Sequence, residues 1–385
     1  MSNFVEVLTG VTDPTGALST AGGIDNAGAS AVTRNARDVS EYYYRQGWTD
    51  GLPVVPCTDD ILAEFLAQTS RDPEEAILAM THLNRQCTVR EAAVNAIMAG
   101  CLPEYFPVVL AAWDSLDALG VGPSGLWQST TGSAPFLVVN GPVIKKLEIN
   151  AAGSIFGSGF RANATIGRAI RLATLNVFQL RPHLLDQATQ GSPAKYTCCI
   201  AENEPENPWN LFHEEYGFSR EDSAVTAMLI RGTMYMEARQ TSDPVQLLTD
   251  FADSLSRTGR ASSGQSCLVL SPEHAGVLAG AGWGKPDIRQ FLYEHSVRSV
   301  EHMDRVGKGG VSRQHGYMVP IDHPDAAVSE GEREPYRFVR SPDDVLIVVA
   351  GAYNAGVSTI VEIIAPKKHS GQGRWRTVPV KVEVV

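Results

Sequence analysis

The sequence has few cysteines, and no spacing pattern connects them. Six cysteines are spread over 385 residues, and none belongs to a C-x-x-C pair or a regular framework. This distribution argues against a disulfide scaffold and against a zinc finger, so we expect reduced thiols. For the adjacent Cys198 and Cys199 we expect one buried and one exposed thiol.

Long basic and long apolar runs are also missing. No Lys/Arg run exceeds a pair, and 32 basic against 43 acidic residues give a formal net charge of −11. These features exclude a broad nucleic-acid-binding surface. No window approaches the roughly 18 apolar residues of a membrane helix, and the N-terminus shows no signal-peptide pattern. We therefore expect no nucleic-acid partner, no membrane partner and a cytoplasmic location.

The chain does contain enough apolar material for a large core. Hydrophobic residues make up 43% and charged residues 19% of its 385 residues, which predicts one large or two medium globular domains. Residues 1–37 are rich in small and polar residues and are interpreted as an extended arm, through which we expect a homo-oligomer to form. Residues 38–385 are interpreted as an α/β catalytic region, with a lobe division near residue 220 and a long loop over 307–336.

Apolar strands alternate with helices, which predicts an α/β fold with a mixed sheet and flanking helices. Thr88 and Glu91 predict a capping box for a helix over 89–99. Ser271 is a predicted N-cap, with Pro272 at the first helical position. Another helix is predicted to start at Thr58 or Asp59. Strands are predicted over 136–140, 196–201, 225–230, 267–270, 345–350 and 378–385.

A glycine-rich segment over 153–168 is the most informative motif in the sequence. It contains four glycines and two arginines immediately before a helical pattern. Glycines let backbone N–H groups face a ligand, and a helix N-terminus favours negative charge. We predict an anion cradle here, between two lobes. The alternative is a glycine-rich turn that caps an ordinary helix, since the spacing matches neither the dinucleotide fingerprint nor the P-loop.

This interpretation assigns a set of substrate-binding residues. The two arginines are predicted to bind an anionic group, and neutral polar side chains are predicted to orient the rest of a small-molecule substrate. The predicted set is Arg161, Arg168, Asn163, Asn140, Thr131, Gly157 and Gly159.

Cys101 is the first candidate for chemistry. It lies between two predicted helices, and the N-terminus of the second would stabilise a thiolate. Glu104, at the same helix start, is a candidate proton acceptor. The alternative is that Cys101 is a small buried hydrophobe.

His274 and Glu202 are the other predicted catalytic residues. His274 is placed near a helix start, where the imidazolium is disfavoured and the neutral ring can accept a proton. Glu202 follows a predicted strand, where α/β proteins place ligand contacts. We expect both side chains to face one cavity together with Arg161.

Six segments resemble a known group of proteins: 48–56, 93–105, 139–142, 161–168, 201–204 and 272–275. They are similar to large, poorly characterised bacterial proteins that accompany or are fused to the UGSC thiol or selenol domain. The resemblance implies a sulfur-, selenium- or redox-linked small-molecule enzyme. This chain has no Cys-Gly-Ser-Cys motif, which implies a separate thiol/redox protein as partner. Cys57 also replaces an expected proline, and bulky residues over 176–183 replace expected glycines, which suggests a specialised substrate.

The leading functional hypothesis is a small-molecule enzyme, lyase-like or oxidoreductase-like, that cleaves or forms a carbon–heteroatom bond on a polar or anionic substrate. One alternative is a metal-dependent hydrolase or hydratase using Glu202, Glu204, His213 and His274. Another is a non-catalytic scaffold for a thiol/selenol redox protein, which predicts an exposed apolar patch and no enclosed polar pocket. The sequence names no cofactor, and the leading hypothesis assigns no metal ligands.

Overall fold

A computed structural model describes residues 37–122, 125–257, 265–308, 335–364 and 377–383. These residues form a mixed α/β structure, which confirms the predicted fold class. The predicted arm over 1–37, apart from its last residue, and most of the predicted loop over 307–336 lie outside the described residues. Within the described ranges, no helix is both long and apolar enough to cross a membrane.

One mixed sheet of seven strands forms the centre. Its strands are β3 (Ala134–Asn140), β4 (Cys199–Ala201), β5 (Ala224–Glu237), β6 (Ser266–Leu270), β9 (Val345–Val349), β10 (Val357–Ile363) and β11 (Pro379–Lys381). Their order in the sheet is β4-β3-β5-β10-β6-β9, and β11 also pairs with β5. The pairs β3–β4 and β6–β9 are parallel, whereas the other pairs are antiparallel. Two small antiparallel pairs are separate from it: β1 (Ala76–Met80) with β2 (Arg85–Thr88), and β7 (Val297–Arg298) with β8 (Tyr336–Arg337).

The two halves of the long strand β5 pair with different neighbouring strands. Its first half, 224–230, pairs with β3, and its second half, 230–237, pairs with β10 on the opposite side. The sheet curls, so that its two edge strands meet where they end. There the backbone N–H of Asn203, after β4, donates to the carbonyl of Val349 in β9 over 2.7 Å.

The described helices are α1 (Asp59–Leu66), α2 (Val89–Ala99), α3 (Phe106–Ala118), α4 (Val143–Lys146), α5 (Arg161–Asn176), α6 (Pro244–Leu255), α7 (Pro272–Gly280), α8 (Lys285–His295) and α9 (Val300–Arg305), and residues 37–45 are also helical. Three of these helices start at the predicted capping residues. Thr58 caps α1, Thr88 and Glu91 form the predicted capping box of α2, and Ser271 caps α7 with Pro272 in its first turn.

Three buried clusters account for most of the core. In the first, α2, α3 and α5 pack on side chains of β3 and β5 such as Val139 and Leu229. In the second, α6, α7 and α8 pack on β6, β9 and β10. The third joins the other face of the same strands, from Phe136 in β3 to Val348 in β9. Because one sheet contributes to all three clusters, the predicted division near residue 220 does not divide the sheet into separate parts.

Candidate functional site

The glycine-rich segment lies beside two cavities. The segment is anchored next to its start, where Gly351 donates its N–H to the carbonyl of Ala151 over 2.9 Å. Phe156 packs against Phe136 of the sheet, with ring centroids 6.1 Å apart. Cavities of about 350 and 510 Å³ share a wall made by Ile155, Phe156, Gly157 and Thr233. The predicted Gly157 therefore lines both cavities.

Four backbone N–H groups in this segment have no partner among the described residues. The N–H groups of Gly153, Ser154, Ile155 and Phe156 make no hydrogen bond to any residue that the structure describes, whereas Gly157 donates to the carbonyl of Ser154 over 2.8 Å. These four residues all line the larger cavity. Unpaired backbone donors in a cavity wall are suited to a ligand oxygen that carries or develops negative charge.

A serine–histidine pair lies at the larger cavity. The Nδ1 atom of His274 is 2.7 Å from Oγ of Ser358, and its Nε2 atom is 3.3 Å from the carbonyl oxygen of Ala238. The carbonyl can only accept, so we assign the proton to Nε2 and leave Nδ1 to accept from the Ser358 hydroxyl. The N–H of Ser271 donates to Ser358 Oγ over 3.0 Å. Both serines line the cavity of about 510 Å³.

The surroundings of His274 favour its neutral form. The residue is 1% exposed, and its ring packs edge-on against Phe251. Burial lowers the pKa of His274, and this effect exceeds the opposing influence of the Ala238 carbonyl and of nearby carboxylates. At neutral pH the ring is therefore available as a proton acceptor, as the sequence predicted.

The larger cavity has mostly apolar walls with several uncharged polar groups. Thr233, Ser271, Asn354 and Thr359 are among its lining residues, and none of the described residues that line it is charged. Its volume of about 510 Å³ is in the usual range for small-molecule sites. The two arginines predicted to bind an anion do not line this cavity.

Arg168 has protein partners for most of its guanidinium. Nε and Nη2 each donate to one oxygen of Asp50 over 2.8 Å. Nη1 donates to the carbonyl of Ala99 at 3.3 Å, and Nη2 donates to that of Pro53 at 2.9 Å. Arg168 thus joins the 50–53 segment to the end of α2, and its proposed contact with a substrate anion stays a prediction.

Arg161 lies next to Cys101, three residues before Glu104, and no described contact joins these residues to the serine–histidine pair. Arg161 donates from Nε to the carbonyl of Gly100 over 3.0 Å, next to Cys101, whereas Glu104 is exposed. Burial raises the pKa of Cys101 to about 12, although a hydrogen bond with Thr165 and the charge of Arg161 act in the opposite direction. At neutral pH the thiol is therefore protonated, which favours the structural alternative.

We expect native Cys101 to resist alkylation. With a pKa of about 12, only about one molecule in 10⁴ carries the thiolate at pH 8. Iodoacetamide should modify Cys101 no faster than the buried Cys87 and Cys267, and all three should react together once the protein unfolds. Time-resolved peptide mapping measures these rates. Selective modification of Cys101 in the folded protein would restore the nucleophile hypothesis.

The other thiols are buried too. All six cysteines are free and buried, and their reduced state stays a prediction. The expectation of one exposed thiol in the adjacent pair is wrong, because Cys198 and Cys199 are both buried. Cys199 lies in β4, and Cys198 belongs to the third buried cluster, which extends from Phe136 in β3 to Val348 in β9.

Glu202 and Asn140 form a second polar cluster, at the ends of the parallel strands β3 and β4. Asn140 donates from Nδ2 to Glu202, which also accepts from the N–H of Phe212 and from Asn207, each over 2.7 Å. Burial raises the pKa of Glu202, against the opposing charge of Lys285. Among the described contacts, no hydrogen bond or ion pair joins this cluster to His274 or Arg161.

The remaining predicted binding residues have mainly local partners. Asn163 links β4 to the segment before the glycines, because it donates to the carbonyls of Cys199 and Asn150 and accepts from the N–H of Asn150. It also lines the cavity of about 350 Å³. Thr131 is exposed and contacts Ser129. Gly159 has a φ of 120° and open space around it.

The residues of the metal hypothesis do not come together. Within the described ranges, no three His, Cys, Asp or Glu side chains are grouped so that they could bind a metal ion. His213 is buried, with Nε2 2.9 Å from the carbonyl of Ser219. Glu204 accepts from the N–H of Gly141 over 2.6 Å. Glu202, Glu204, His213 and His274 therefore do not provide a shared ligand set.

Sequence reasoning missed Ser358, the partner of His274. Ser358 is in β10, a run of β-branched residues that the predicted strands do not include. Its composition is a recognisable strand signal. Nothing in the sequence, however, connects a serine in this strand with a histidine 84 positions earlier.

Comparisons with protein-family models, with curated proteins and with solved structures find no match to this chain. The resemblance to UGSC-associated proteins and the thiol/redox partner it implies stay predictions. The geometry of the site is therefore the basis on which a function is proposed.

Proposed function

We propose that this protein is a small-molecule enzyme that cleaves a carbon–heteroatom bond, an ester or amide, of an uncharged polar substrate in the cavity of about 510 Å³. Ser358 is the nucleophile and His274 the general base. The observation that carries the proposal is the 2.7 Å contact between Ser358 Oγ and His274 Nδ1 at the wall of this cavity. A nucleophile within hydrogen-bond reach of a neutral base is the geometry that acyl transfer requires.

The proton transfers follow from the partners of the ring. As Ser358 Oγ bonds to the substrate carbonyl carbon, its proton passes to Nδ1 of His274, and the Nε2–H remains hydrogen-bonded to Ala238. The ring then gives this proton to the departing oxygen or nitrogen, which leaves an acyl group on Ser358. Water, activated by the same ring, releases the acid. The Ala238 carbonyl takes the orienting role that a carboxylate has in many serine hydrolases.

The unpaired N–H groups of 153–156 are the donors proposed for the oxyanion. Negative charge develops on the carbonyl oxygen during attack, and fixed backbone donors stabilise it without reorganisation. This gives the glycine-rich segment a role that does not depend on Arg161 or Arg168. The uncharged walls support a neutral substrate over the anionic one, since an anion would lose its hydration without gaining a cation.

A fluorophosphonate probe tests the nucleophile without knowledge of the substrate. Ser358 Oγ should bond to phosphorus with loss of fluoride, and peptide mass mapping should place the adduct on Ser358. Ser358→Ala should abolish labelling, and His274→Gln should slow it by about 10²- to 10⁴-fold. Ser256→Ala is the matched control, because it also removes a buried hydroxyl, one that donates only to carbonyls of its own helix.

The pH dependence of labelling identifies the base. Since the pKa of His274 is lowered, the rate should stay constant as pH falls to the ordinary histidine value of about 6.5 and decline only below it. His274→Gln should lose this decline. A probe that labels another residue, or labels Ser358 equally well without His274, would contradict the proposal.

A further inference from the structure

A third cavity is lined by two cations, the buried Arg171 and the partly buried Lys195, whereas the larger cavity has no charged lining residue. Its volume is about 480 Å³, and its lining includes Asp50, Arg171 and Lys195. The side chains of Arg171 and Lys195 are 6% and 15% exposed. Leu175 and Tyr196 provide apolar and aromatic surface in the same cavity.

The cations here outnumber the carboxylates. Arg171 and Lys195 share the single carboxylate of Asp186, which also accepts the N–H of Ala188 over 3.1 Å. The charge of Asp50 also acts on Arg171, but Arg168, which lies outside the cavity lining, binds both oxygens of Asp50. The three cations Arg168, Arg171 and Lys195 therefore share two carboxylates, Asp50 and Asp186, in a chain whose formal net charge is −11.

Both cations have N–H donors without a partner among the described residues. Lys195 uses one of its three N–H bonds, for Asp186. Arg171 donates to Thr174 at 3.1 Å and to Asp186 at 3.1 Å, and the described residues occupy no other donor of its guanidinium. Burial lowers the pKa of both Lys195 and Arg171. A surplus cation that is at least partly buried and has hydrogen-bond donors without a described partner is stabilised by an anion, since Coulomb attraction is stronger away from bulk water.

We propose that this cavity binds a small organic carboxylate, with its charged group at Lys195 and Arg171 and its apolar part against Leu175 and Tyr196. One carboxylate matches the surplus of one positive charge, whereas a phosphate monoester would bring close to two negative charges. The site is separate from the serine–histidine pair and does not depend on the proposed hydrolytic function.

Benzoate is a suitable probe because it combines one carboxylate with a flat apolar ring. We expect isothermal titration calorimetry to detect benzoate binding to the full-length protein. Benzamide, which has the same shape without the charge, should bind at least about 10-fold more weakly. Acetate should also bind more weakly, because it lacks the ring. Inorganic phosphate at the same concentration as benzoate should not displace it.

Lys195→Met locates the site. This change leaves Arg171 and Asp186 as a neutral pair, and it should weaken benzoate binding by about 10- to 100-fold. Lys146→Met is the matched control, since Lys146 is exposed and lies outside the cavity lining. It should leave the affinity unchanged. Thermal unfolding confirms that each variant is folded.

Tyr196→Ala provides a second test if Lys195→Met does not fold. The Tyr196 side chain is half exposed, at 51%, so its removal should spare the fold and reduce the preference for benzoate over acetate. Equal binding of benzoate and benzamide, no binding of benzoate, or full affinity in folded Lys195→Met would each overturn the proposal.

Discussion

Replacing Arg168 by alanine is expected to lower the free energy of unfolding by about 3–5 kcal/mol. The change leaves the Asp50 side chain, which is 5% exposed, without its cation. It also removes the donors to the carbonyls of Ala99 and Pro53. Urea unfolding followed by circular dichroism measures the loss. Arg168→Lys should recover only part of it, because an ammonium cannot bind both oxygens of Asp50 in the same way.

Arg90→Ala is the matched control for Arg168→Ala. Arg90 also pairs with one carboxylate, Glu74, but the two side chains are 33% and 67% exposed. Exposed pairs contribute about 0–1 kcal/mol, so this variant should unfold at nearly the urea concentration of the native protein. If the two variants lose equal stability, the buried position of Arg168 is not what makes its contacts important.

The second large effect is expected at Gly141, in the turn after β3. Its φ of 87° is unfavourable for alanine by about 1–2 kcal/mol. A Cβ atom there would also lie 2.2 Å from the carbonyl oxygen of Asp222 and 2.8 Å from Cα of Ser223. Because backbone cannot move aside as a flexible side chain can, we expect a further loss of about 1–3 kcal/mol. Urea unfolding of Gly141→Ala should therefore give a free energy of unfolding that is lower by about 2–5 kcal/mol.

Gly217→Ala separates the two contributions. Gly217 has nearly the same φ, 88°, but nothing lies within 4 Å of its added Cβ. The free energy of unfolding of Gly217→Ala should fall only by the cost of the positive φ for alanine, about 1–2 kcal/mol. Equal losses in both variants would show that the contact with Asp222 relaxes without cost.

Local signals in the sequence were sufficient to locate many elements. Ser271 with Pro272, and Thr88 with Glu91, marked helix starts that the structure confirms, because a cap acts on N–H groups within three residues. For strand β5 the sequence predicted only residues 225–230, whereas the strand extends over Ala224–Glu237. In its second half, side chains such as Tyr235 are exposed, so the apolar run ends while backbone pairing with β10 continues.

The candidate site required the tertiary structure. The sequence indicated the glycine-rich segment and His274, and both lie at or beside the cavity of about 510 Å³. The sequence also placed Cys101, Glu202 and Arg161 in the same predicted site as His274. In the structure, no described contact joins any of these three residues to His274. Residue type alone did not show that Arg168 would pair with Asp50, 118 positions away.

The sequence by itself determined the fold class, the helix caps and the position of the glycine-rich segment, because these depend on composition or on neighbouring residues. The tertiary structure decided which side chains share a cavity. It paired Ser358 with His274, placed Lys195 beside Arg171 and buried Cys101. These outcomes depend on strand order and on the curl of the sheet, which bring distant segments together, and no local pattern encodes them.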